Sequence, residues 1–206
     1  MRLSAGVAAL ALVGAAMHAA PPAARVVAAF GDSITEGYGV APKDAYPAQL
    51  AALLEKQGRP VKLVNAGVSG DTSGNALDRL SQVTALKPAL VILEIGGNDG
   101  LRGLPPQATR ANIDRILSGL AAAGARVVLI GMTLPANYGA GYIRQFEAIY
   151  TELAAKHRAR LVSVAGKGIA ATPGMMQRDG IHPTALGHRK LAELLLPHVA
   201  AVLGRK

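Results

Sequence analysis

Four short segments of the sequence pair glycine with side chains that can perform nucleophilic chemistry. They read Gly-Asp-Ser at 31–33, Val-Ser-Gly-Asp at 68–71, Gly-Gly-Asn-Asp at 96–99 and Asp-Gly-Ile-His-Pro at 179–183. A serine hydroxyl becomes an effective nucleophile when a base removes its proton and a third group orients that base. The first segment offers Ser33 as the hydroxyl, and the last offers His182 as the base.

Asp179 stands three residues before His182. On a turn, this spacing allows the carboxylate to reach imidazole Nδ1 and to hold the tautomer whose Nε2 accepts a proton. Pro183 favours an extended backbone at His182 and helps to start a helix after it. Simpler roles also suit these residues, because Ser and Asp commonly cap helices or form turns and His182 can be a surface side chain.

An attacked carbonyl becomes an oxyanion, which requires fixed hydrogen-bond donors in a dry site. Gly70 can direct its backbone N–H at a ligand because it has no Cβ in the way. Asn98 can present a side-chain NH₂ group. Taken singly, a turn glycine and a turn asparagine are the simpler explanations. Their occurrence at one predicted sheet edge favours the catalytic interpretation.

The elements that must position these residues are visible as alternating apolar runs and helix-length segments. The apolar runs lie at 25–30, 61–65, 89–95, 126–132 and 160–164. They are rich in Val, Ile and Leu without polar alternation, which predicts strands covered on both faces. The helix-length segments lie at 45–57, 73–86, 109–123, 142–157 and 185–203. The alternation predicts an α/β fold, a three-layer α/β/α sandwich around a five-stranded parallel sheet.

Ligands of such sheets bind outside the carboxyl ends of the strands. The polar segments all follow predicted strands, so we expect them to meet at that edge. Apolar residues in or beside the edge loops predict an aliphatic substrate pocket. About half of them are expected to pack in the core beneath instead, since Leu, Ile and Met are often buried. They are Ile34, Leu101, Met132, Leu134 and Tyr138.

Composition bounds the class of protein and its partners. The chain has 206 residues, 50% of them hydrophobic, and no cysteine, so it forms no disulfide. Its formal charge of +9 can attract anionic lipid. Aromatic residues make up only 3%, so stacking platforms for nucleic acid are scarce. We expect a monomer that acts on a small molecule, with peripheral contact to anionic lipid and no nucleic-acid partner.

The N-terminal residues are typical of a signal peptide. Met1 and Arg2 precede an uncharged run at 3–16, which is too short to span a bilayer as a helix. We predict a signal peptide at 1–20, with an approximate cleavage site, and a single domain at 21–206. The protein is then exported to the periplasm or secreted. An uncleaved apolar anchor is the alternative.

Several other kinds of site are absent from the sequence. It contains no G-x-S-x-G elbow, no G-x-x-x-x-G-K-[ST] loop and no G-x-G-x-x-G turn. Its five histidines show no H-E-x-x-H motif and no zinc-like spacing. We therefore expect neither a metal nor a cofactor.

Together, the four segments resemble the four blocks of the GDSL or SGNH hydrolases, in the same order. The chain is most similar to the bacterial branch called thioesterase I, lysophospholipase or arylesterase, from about residue 25 to the last helix. The first block reads Gly-Asp-Ser-Ile-Thr rather than Gly-Asp-Ser-Leu-Ser, which is a small departure after the serine.

The resemblance implies the flavodoxin-like SGNH hydrolase fold and hydrolysis of carboxylic esters or thioesters through an acyl-serine intermediate. It implies that Ser33 is the nucleophile, that His182 is the base and acid, and that Asp179 orients the histidine. The implied oxyanion hole consists of the backbone N–H groups of Ser33 and Gly70 and the side chain of Asn98. The resemblance places Leu134 against the acyl chain, and we predict further substrate contacts at Ile34, Leu101 and Tyr138.

Two alternatives stay open at this stage. A carbohydrate O-acetyl esterase would use the same catalytic residues with a smaller, more polar pocket. A non-enzymatic flavodoxin-like binding protein would share the fold and would leave Ser33 unreactive.

Overall fold

The computed structural model describes residues 24–164 and 168–204. Within them, five parallel strands form one sheet in the order β2-β1-β3-β4-β5. The strands are β1 (Arg25–Gly31), β2 (Val61–Gly67), β3 (Leu90–Glu94), β4 (Arg126–Gly131) and β5 (Arg160–Ser163). The predicted five-stranded parallel sheet is confirmed.

Helices cover both faces of the sheet. They are α1 (Ser33–Glu36), α2 (Tyr46–Lys56), α3 (Ser73–Asp78), α4 (Leu80–Thr84), α5 (Gly97–Leu101), α6 (Pro106–Ala122), α7 (Ala140–His157) and α8 (Ala185–Leu203). Two short 3₁₀ turns lie at Pro42–Asp44 and Ala136–Tyr138. The long helices match their predicted positions to within a few residues.

Alternate residues of each central strand supply two separate cores, as the two-residue period of a strand requires. On β1, Val27 and Ala29 pack with α2 and α8. Ala28 and Phe30 point to the other face, towards the core formed with α3, α6 and α7. The three central strands are therefore covered on both sides, which explains their continuous apolar sequence.

Two details differ from the sequence-based expectations. The predicted helix at 73–86 is two helices, because Arg79 leaves helical geometry with φ −103° and ψ 12° between α3 and α4. The strands β2 and β5 are edge strands, and most of their residues are only partly buried or exposed. The expectation that all five strands are covered on both faces is therefore wrong for these two.

The predicted signal peptide at 1–20 lies outside the described residues. Among the residues that the structure does describe, no helix combines the length and the apolar character needed to cross a bilayer.

Candidate active site

The end of β1 places Ser33 at the carboxyl edge of the sheet. Asp32 caps α1, and its Oδ1 accepts a hydrogen bond from the N–H of Ile34 at 3.1 Å. Gly31 leaves no room for a side chain, since a Cβ there would lie 2.2 Å from both the Glu94 carbonyl oxygen and Thr35 Oγ1. The strand and helix therefore meet in a tight turn that fixes the Ser33 backbone.

Ser33 and His182 meet although 149 positions separate them in the chain. Ser33 Oγ lies 2.9 Å from His182 Nε2, within hydrogen-bonding distance. His182 Nδ1 lies 2.7 Å from Asp179 Oδ2. The three side chains form a continuous hydrogen-bonded series from hydroxyl to carboxylate, as the sequence predicts.

Asp179 also organises its own turn. Its Oδ1 accepts the backbone N–H groups of Ile181 at 2.9 Å and His182 at 3.0 Å. The hydrogen bonds from the His182 side chain and these N–H groups lower the pKa of Asp179 to about 2. The carboxylate therefore stays ionised at neutral pH and can stabilise a protonated imidazole.

The turn that carries His182 is tied to the loop after α1. The side-chain amide of Gln177 donates to the carbonyl oxygens of Tyr38 and Pro183, at 2.8 and 3.0 Å. The ring of Tyr38 lies 4.7 Å from the ring of His182, centroid to centroid. These contacts connect the two loops that carry the hydroxyl and the imidazole.

Asn98 and Gly70 lie in the neighbouring edge loops. The Asn98 side-chain nitrogen donates to the carbonyl oxygen of Asp71 at 2.9 Å and lies 3.4 Å from Asp32 Oδ2. Gly70 has a φ of +84°, a conformation that favours glycine. Asn98 is therefore held between the loop that contains Gly70 and the carboxyl group that precedes Ser33.

Arg79 fastens the loop of Gly70 to the sheet. Its guanidinium donates to Asp71 Oδ2 at 2.6 Å and to the carbonyl oxygens of Ala66 and Gly31, each at 2.8 Å. It also lies over the ring of Phe30, 4.7 Å from the centroid. One nearly buried side chain thus links the ends of β1 and β2 to the loop that holds Asn98.

Two carboxyl groups are buried beneath Ser33. Burial raises the pKa of Asp32 to about 6. Glu94, at the end of β3, is fully enclosed, and burial followed by the nearby Asp32 charge raises its pKa well above the usual range. This acidic pair was not among the sequence-predicted site residues.

The predicted substrate contacts differ in their access to solvent. Leu134 is only 6% exposed and packs within the core beside α5, where a Cβ on Gly100 would touch it. Ile34, Leu101 and Tyr138 are partly buried, and the Tyr138 hydroxyl donates to the Leu101 carbonyl at 2.7 Å. Met132 reaches the space beside Gly97, next to Asn98. Their roles in substrate binding stay predictions.

The described residues contain no group of three or more His, Cys, Asp or Glu side chains that could hold a metal ion. A cavity of about 790 Å³ does occur, but it lies at the amino ends of β4 and β5, lined by residues such as Leu117, Val127 and Leu161. None of the predicted site residues lines it.

The supporting residues gave different amounts of signal in the sequence. Arg79 stands inside a helical pattern and Glu94 ends an apolar run, so neither shows its contacts in the local sequence. An acidic side chain in a buried strand is unusual, and this was the one available sign for Glu94. Tyr38 and Gln177 meet only through folding.

The chain matches the sequence profile of the GDSL-like Lipase/Acylhydrolase family over residues 29–190. It is 40% identical over 182 residues to Esterase TesA of Pseudomonas aeruginosa, covering 88% of this chain and 90% of that protein. It is also 40% identical over 162 residues to thioesterase 1/protease 1/lysophospholipase L1 of Escherichia coli K12, covering 78% of this chain and 76% of the relative.

Solved structures show the same fold. The crystal structure of TesA has a TM-score of 0.83 at 38% identity, covering 86% of this chain and 99% of that chain. The psychrotrophic esterase EstA from Pseudoalteromonas sp., in a structure inhibited by monoethylphosphonate, has a TM-score of 0.82 at 27% identity, covering 88% of this chain and all of its own.

The similarity therefore extends over the sheet, the edge loops and the helices that carry the candidate site. It also sets aside the alternative of a non-enzymatic binding protein. The chain belongs to the GDSL-like lipase/acylhydrolase family and is a carboxylic ester and thioester hydrolase.

Proposed function

We propose that Ser33 is the nucleophile of this hydrolase, that His182 is its general base and acid, and that Asp179 orients the histidine. The observation that supports this most strongly is the distance of 2.9 Å between Ser33 Oγ and His182 Nε2, with Asp179 on the opposite ring nitrogen. A base must be within hydrogen-bonding reach of the proton that it removes, and this pair meets that condition.

In the first step, Ser33 Oγ attacks the carbonyl carbon and its proton passes to His182 Nε2. The carbonyl oxygen becomes an oxyanion, which the N–H groups of Ser33 and Gly70 and the Asn98 amide stabilise. Collapse of this intermediate breaks the bond to the alcohol or thiol. His182 returns the proton to that leaving group, and the acyl group remains on Ser33.

In the second step, His182 removes a proton from water, and the resulting hydroxide attacks the acyl-serine. The second oxyanion collapses with loss of Ser33 Oγ, which takes the proton back from His182. The product is a carboxylic acid, and the serine is regenerated. Asp179 remains ionised throughout, consistent with its low pKa.

We also propose that the substrates are acyl lipids with medium or long chains, such as lysophospholipids. The exposed large apolar residues of the described chain are Tyr38, Val68, Leu104, Ile181 and Leu186. Each lies between a strand and the next long helix, or in the first turn of that helix, in a segment that leaves the sheet at the edge that holds Ser33. Exposed apolar groups around a site favour contact with lipid.

The nucleophile is tested by replacing Ser33 with Ala and measuring hydrolysis of a nitrophenyl ester. Turnover should fall by about 10⁴-fold or more, because one member of a triad accounts for most of its effect. Ser118→Ala is the matched control, since that exposed hydroxyl bonds only to Asp114 of its own helix. A Ser33→Ala protein with wild-type turnover would overturn the assignment.

The substrate class is tested with esters whose acyl chains run from acetate to palmitate. The proposal expects kcat/KM to rise with chain length and then level off. A maximum at acetate would instead support the O-acetyl esterase alternative.

Contact with lipid is tested by sedimentation with vesicles of anionic or neutral phospholipid. A Leu104→Ser/Leu186→Ser protein should bind anionic vesicles less well than wild type while hydrolysing a short soluble ester equally fast. Equal vesicle binding by the two proteins would contradict the proposed lipid-contact surface.

Export remains part of the proposal. The N-terminal pattern at 1–20 supports it, and an exported enzyme would meet lysophospholipids and other extracytoplasmic esters. Fractionation of cells that express the full chain should recover activity outside the cytoplasm. Deletion of residues 1–20 should return the activity to the cytoplasmic fraction.

A further inference from the structure

The buried side chain of Glu94 lies at the end of β3, next to the turn at residues 31–33. Only part of its hydrogen-bonding capacity is satisfied. Its Oε2 accepts a hydrogen bond from Thr35 Oγ1 at 2.8 Å. Among the described residues, no donor reaches its Oε1, which is buried. An ionised carboxylate in this position would carry a buried charge with an unsatisfied oxygen, an arrangement that proteins avoid.

The direction of the adjoining hydrogen bonds determines where a proton can reside. Thr35 Oγ1 also lies 3.1 Å from the hydroxyl of Tyr46. The Thr35 hydroxyl donates its single proton to Glu94. In the contact between the two hydroxyls, Tyr46 is therefore the donor and Thr35 the acceptor. Burial raises the pKa of Tyr46, so the phenol keeps its proton. The hydrogen bonds from Tyr46 to Thr35 and from Thr35 to Glu94 therefore give Oε2 one donor, and any proton of Glu94 must reside on Oε1.

The group that faces Glu94 is the carboxyl of Asp32, within hydrogen-bonding reach. Asp32 accepts the Ile34 N–H with Oδ1, and Asn98 approaches its Oδ2. The guanidinium of Arg79, which contacts the carbonyl oxygen of neighbouring Gly31, is otherwise committed to Asp71 and to the carbonyl oxygen of Ala66. Two buried carboxyl groups this close cannot both ionise readily.

Other titratable groups around the pair do not remove this difficulty. The hydroxyl of Tyr150, from α7, donates to the carbonyl of Ile95 at 3.0 Å. The negative charge of Asp71 raises the pKa of Asp32, whereas His182, which lies nearer the surface, lowers it. No cation of the described residues contacts the Glu94 carboxyl. A proton is the remaining means of neutralising one of the two groups.

We propose that Glu94 and Asp32 hold a single proton between them, carried by Glu94 and donated to the Asp32 carboxylate. Glu94 is then a neutral acid and Asp32 an anion. The raised pKa values of both groups agree with this arrangement. Aspartate pairs that share one proton illustrate the same physical rule in other enzymes.

The shared proton gives Glu94 a positioning role in the reaction. An ionised Asp32 caps α1 through the Ile34 N–H and attracts the Asn98 amide. Glu94 therefore acts through Asp32 on the turn of Ser33 and on the donor that faces the oxyanion. This consequence rests on the proposed roles of Ser33 and Asn98, whereas the location of the proton does not.

The proton can be observed by carbon-13 NMR of protein labelled at the glutamate side-chain carboxyl. The chain has six glutamates. At about pH 7, one of the six signals should have the chemical shift of a protonated carboxyl, because the proposal leaves Glu94 neutral at that pH. The protonated signal should vanish in Glu94→Gln and persist in Ser33→Ala. Six ionised signals, or a protonated signal that survives in Glu94→Gln, would overturn the proposal.

The positioning role is tested with two replacements of similar size. Glu94→Gln keeps an uncharged donor towards Asp32 and should retain kcat to within about threefold, whereas Glu94→Leu removes the donor and should lower kcat about tenfold with little change in KM. Equal kcat values for the two variants would refute the positioning role. If Glu94→Leu does not fold, the NMR signal still tests the location of the proton. A loss of kcat of more than about tenfold in Glu94→Gln would then refute the positioning role.

Failure of this inference and failure of the proposed function give different results. If the Ser33→Ala protein is active, the assignment of Ser33 as nucleophile is refuted, and the NMR result for Glu94 is unaffected. If the Ser33→Ala protein is inactive and no glutamate gives a protonated signal, the assignment of Ser33 is supported and the shared proton is refuted.

Discussion

Ser33 is the first residue of α1, directly after the buried end of β1, whereas His182 stands on an exposed turn between β5 and α8. The turn that carries Ser33 rests on Asp32 and Glu94, which are almost completely buried. The histidine turn is held by Asp179, whose side chain is 38% exposed. Burial raises the pKa of Asp32 to about 6, and hydrogen bonds lower that of Asp179 to about 2.

The comparison shows two ways of fixing a reactive side chain. Asp179 orients His182 through contacts made within four consecutive residues. Ser33 depends on residues from distant parts of the chain, including β3 and the α3–α4 junction. We therefore expect changes near His182 to act locally on the proton acceptor, and changes beneath Ser33 to spread to the oxyanion donors.

The largest of these effects should come from Asp179→Asn. The amide no longer stabilises a protonated imidazole and can favour the wrong tautomer, so kcat should fall by about 10³–10⁴-fold. The pKa of about 2 keeps Asp179 itself ionised over the whole working range of pH, so the loss in the variant should not depend on titration of that carboxyl. Retention of half the wild-type kcat by Asp179→Asn would show that the local turn does not govern the base.

Asn98→Ala tests the proposed oxyanion donor that lies beside Asp32. Loss of one oxyanion donor should lower kcat by about 10²–10³-fold with a smaller change in KM. Steady-state kinetics on a nitrophenyl ester measure the two constants. A change confined to KM would mean that Asn98 binds the substrate without stabilising the transition state.

Arg79→Lys should have a moderate effect through the loop of Gly70. A lysine cannot replace the three hydrogen bonds of the guanidinium, so the Asp71 carbonyl that orients Asn98 should shift and kcat should fall about tenfold. In Asn98→Ala protein the same substitution should cause little further loss, because residues that act through one contact are not additive. If the two substitutions lower kcat independently, so that their effects multiply, Arg79 does not act through Asn98.

The smallest expected effect on catalysis and a clear effect on stability come from His188. This buried side chain of α8 accepts the Tyr46 N–H with Nδ1, and burial lowers its pKa to about 4. A pKa lowered by folding means that the unfolded chain binds the proton first. Stability is therefore lost as the pH falls from about 6.5 to about 4.

His188→Asn keeps an acceptor near Tyr46 but does not titrate. Urea unfolding between about pH 7 and about pH 4 should show a stability difference between wild type and variant that changes by up to about 3 kcal/mol. The raised pKa of Asp32 acts in the opposite direction, but it is common to both proteins and cancels in the difference. A difference independent of pH would contradict a buried neutral imidazole.

The sequence predicted the sheet from strong local patterns, and it predicted the meeting of Ser33 with His182 from four polar segments that share a sheet edge and resemble the blocks of one family. Apolar runs marked the strands, and glycine-rich segments marked their carboxyl ends. The break at Arg79 was not predictable, since its cause is a set of acceptors on β1, β2 and the Asp71 loop. The burial of Leu134 likewise depends on its packing against α5 and Phe146.

The most direct test of the proposed nucleophile is reaction with a fluorophosphonate, followed by mass spectrometry of the digested protein. We expect one adduct, on the peptide that contains Ser33, and much slower labelling in His182→Ala. An adduct on another serine, or labelling of Ser33 at the same rate without His182, would contradict the claim that these two residues form the reactive pair.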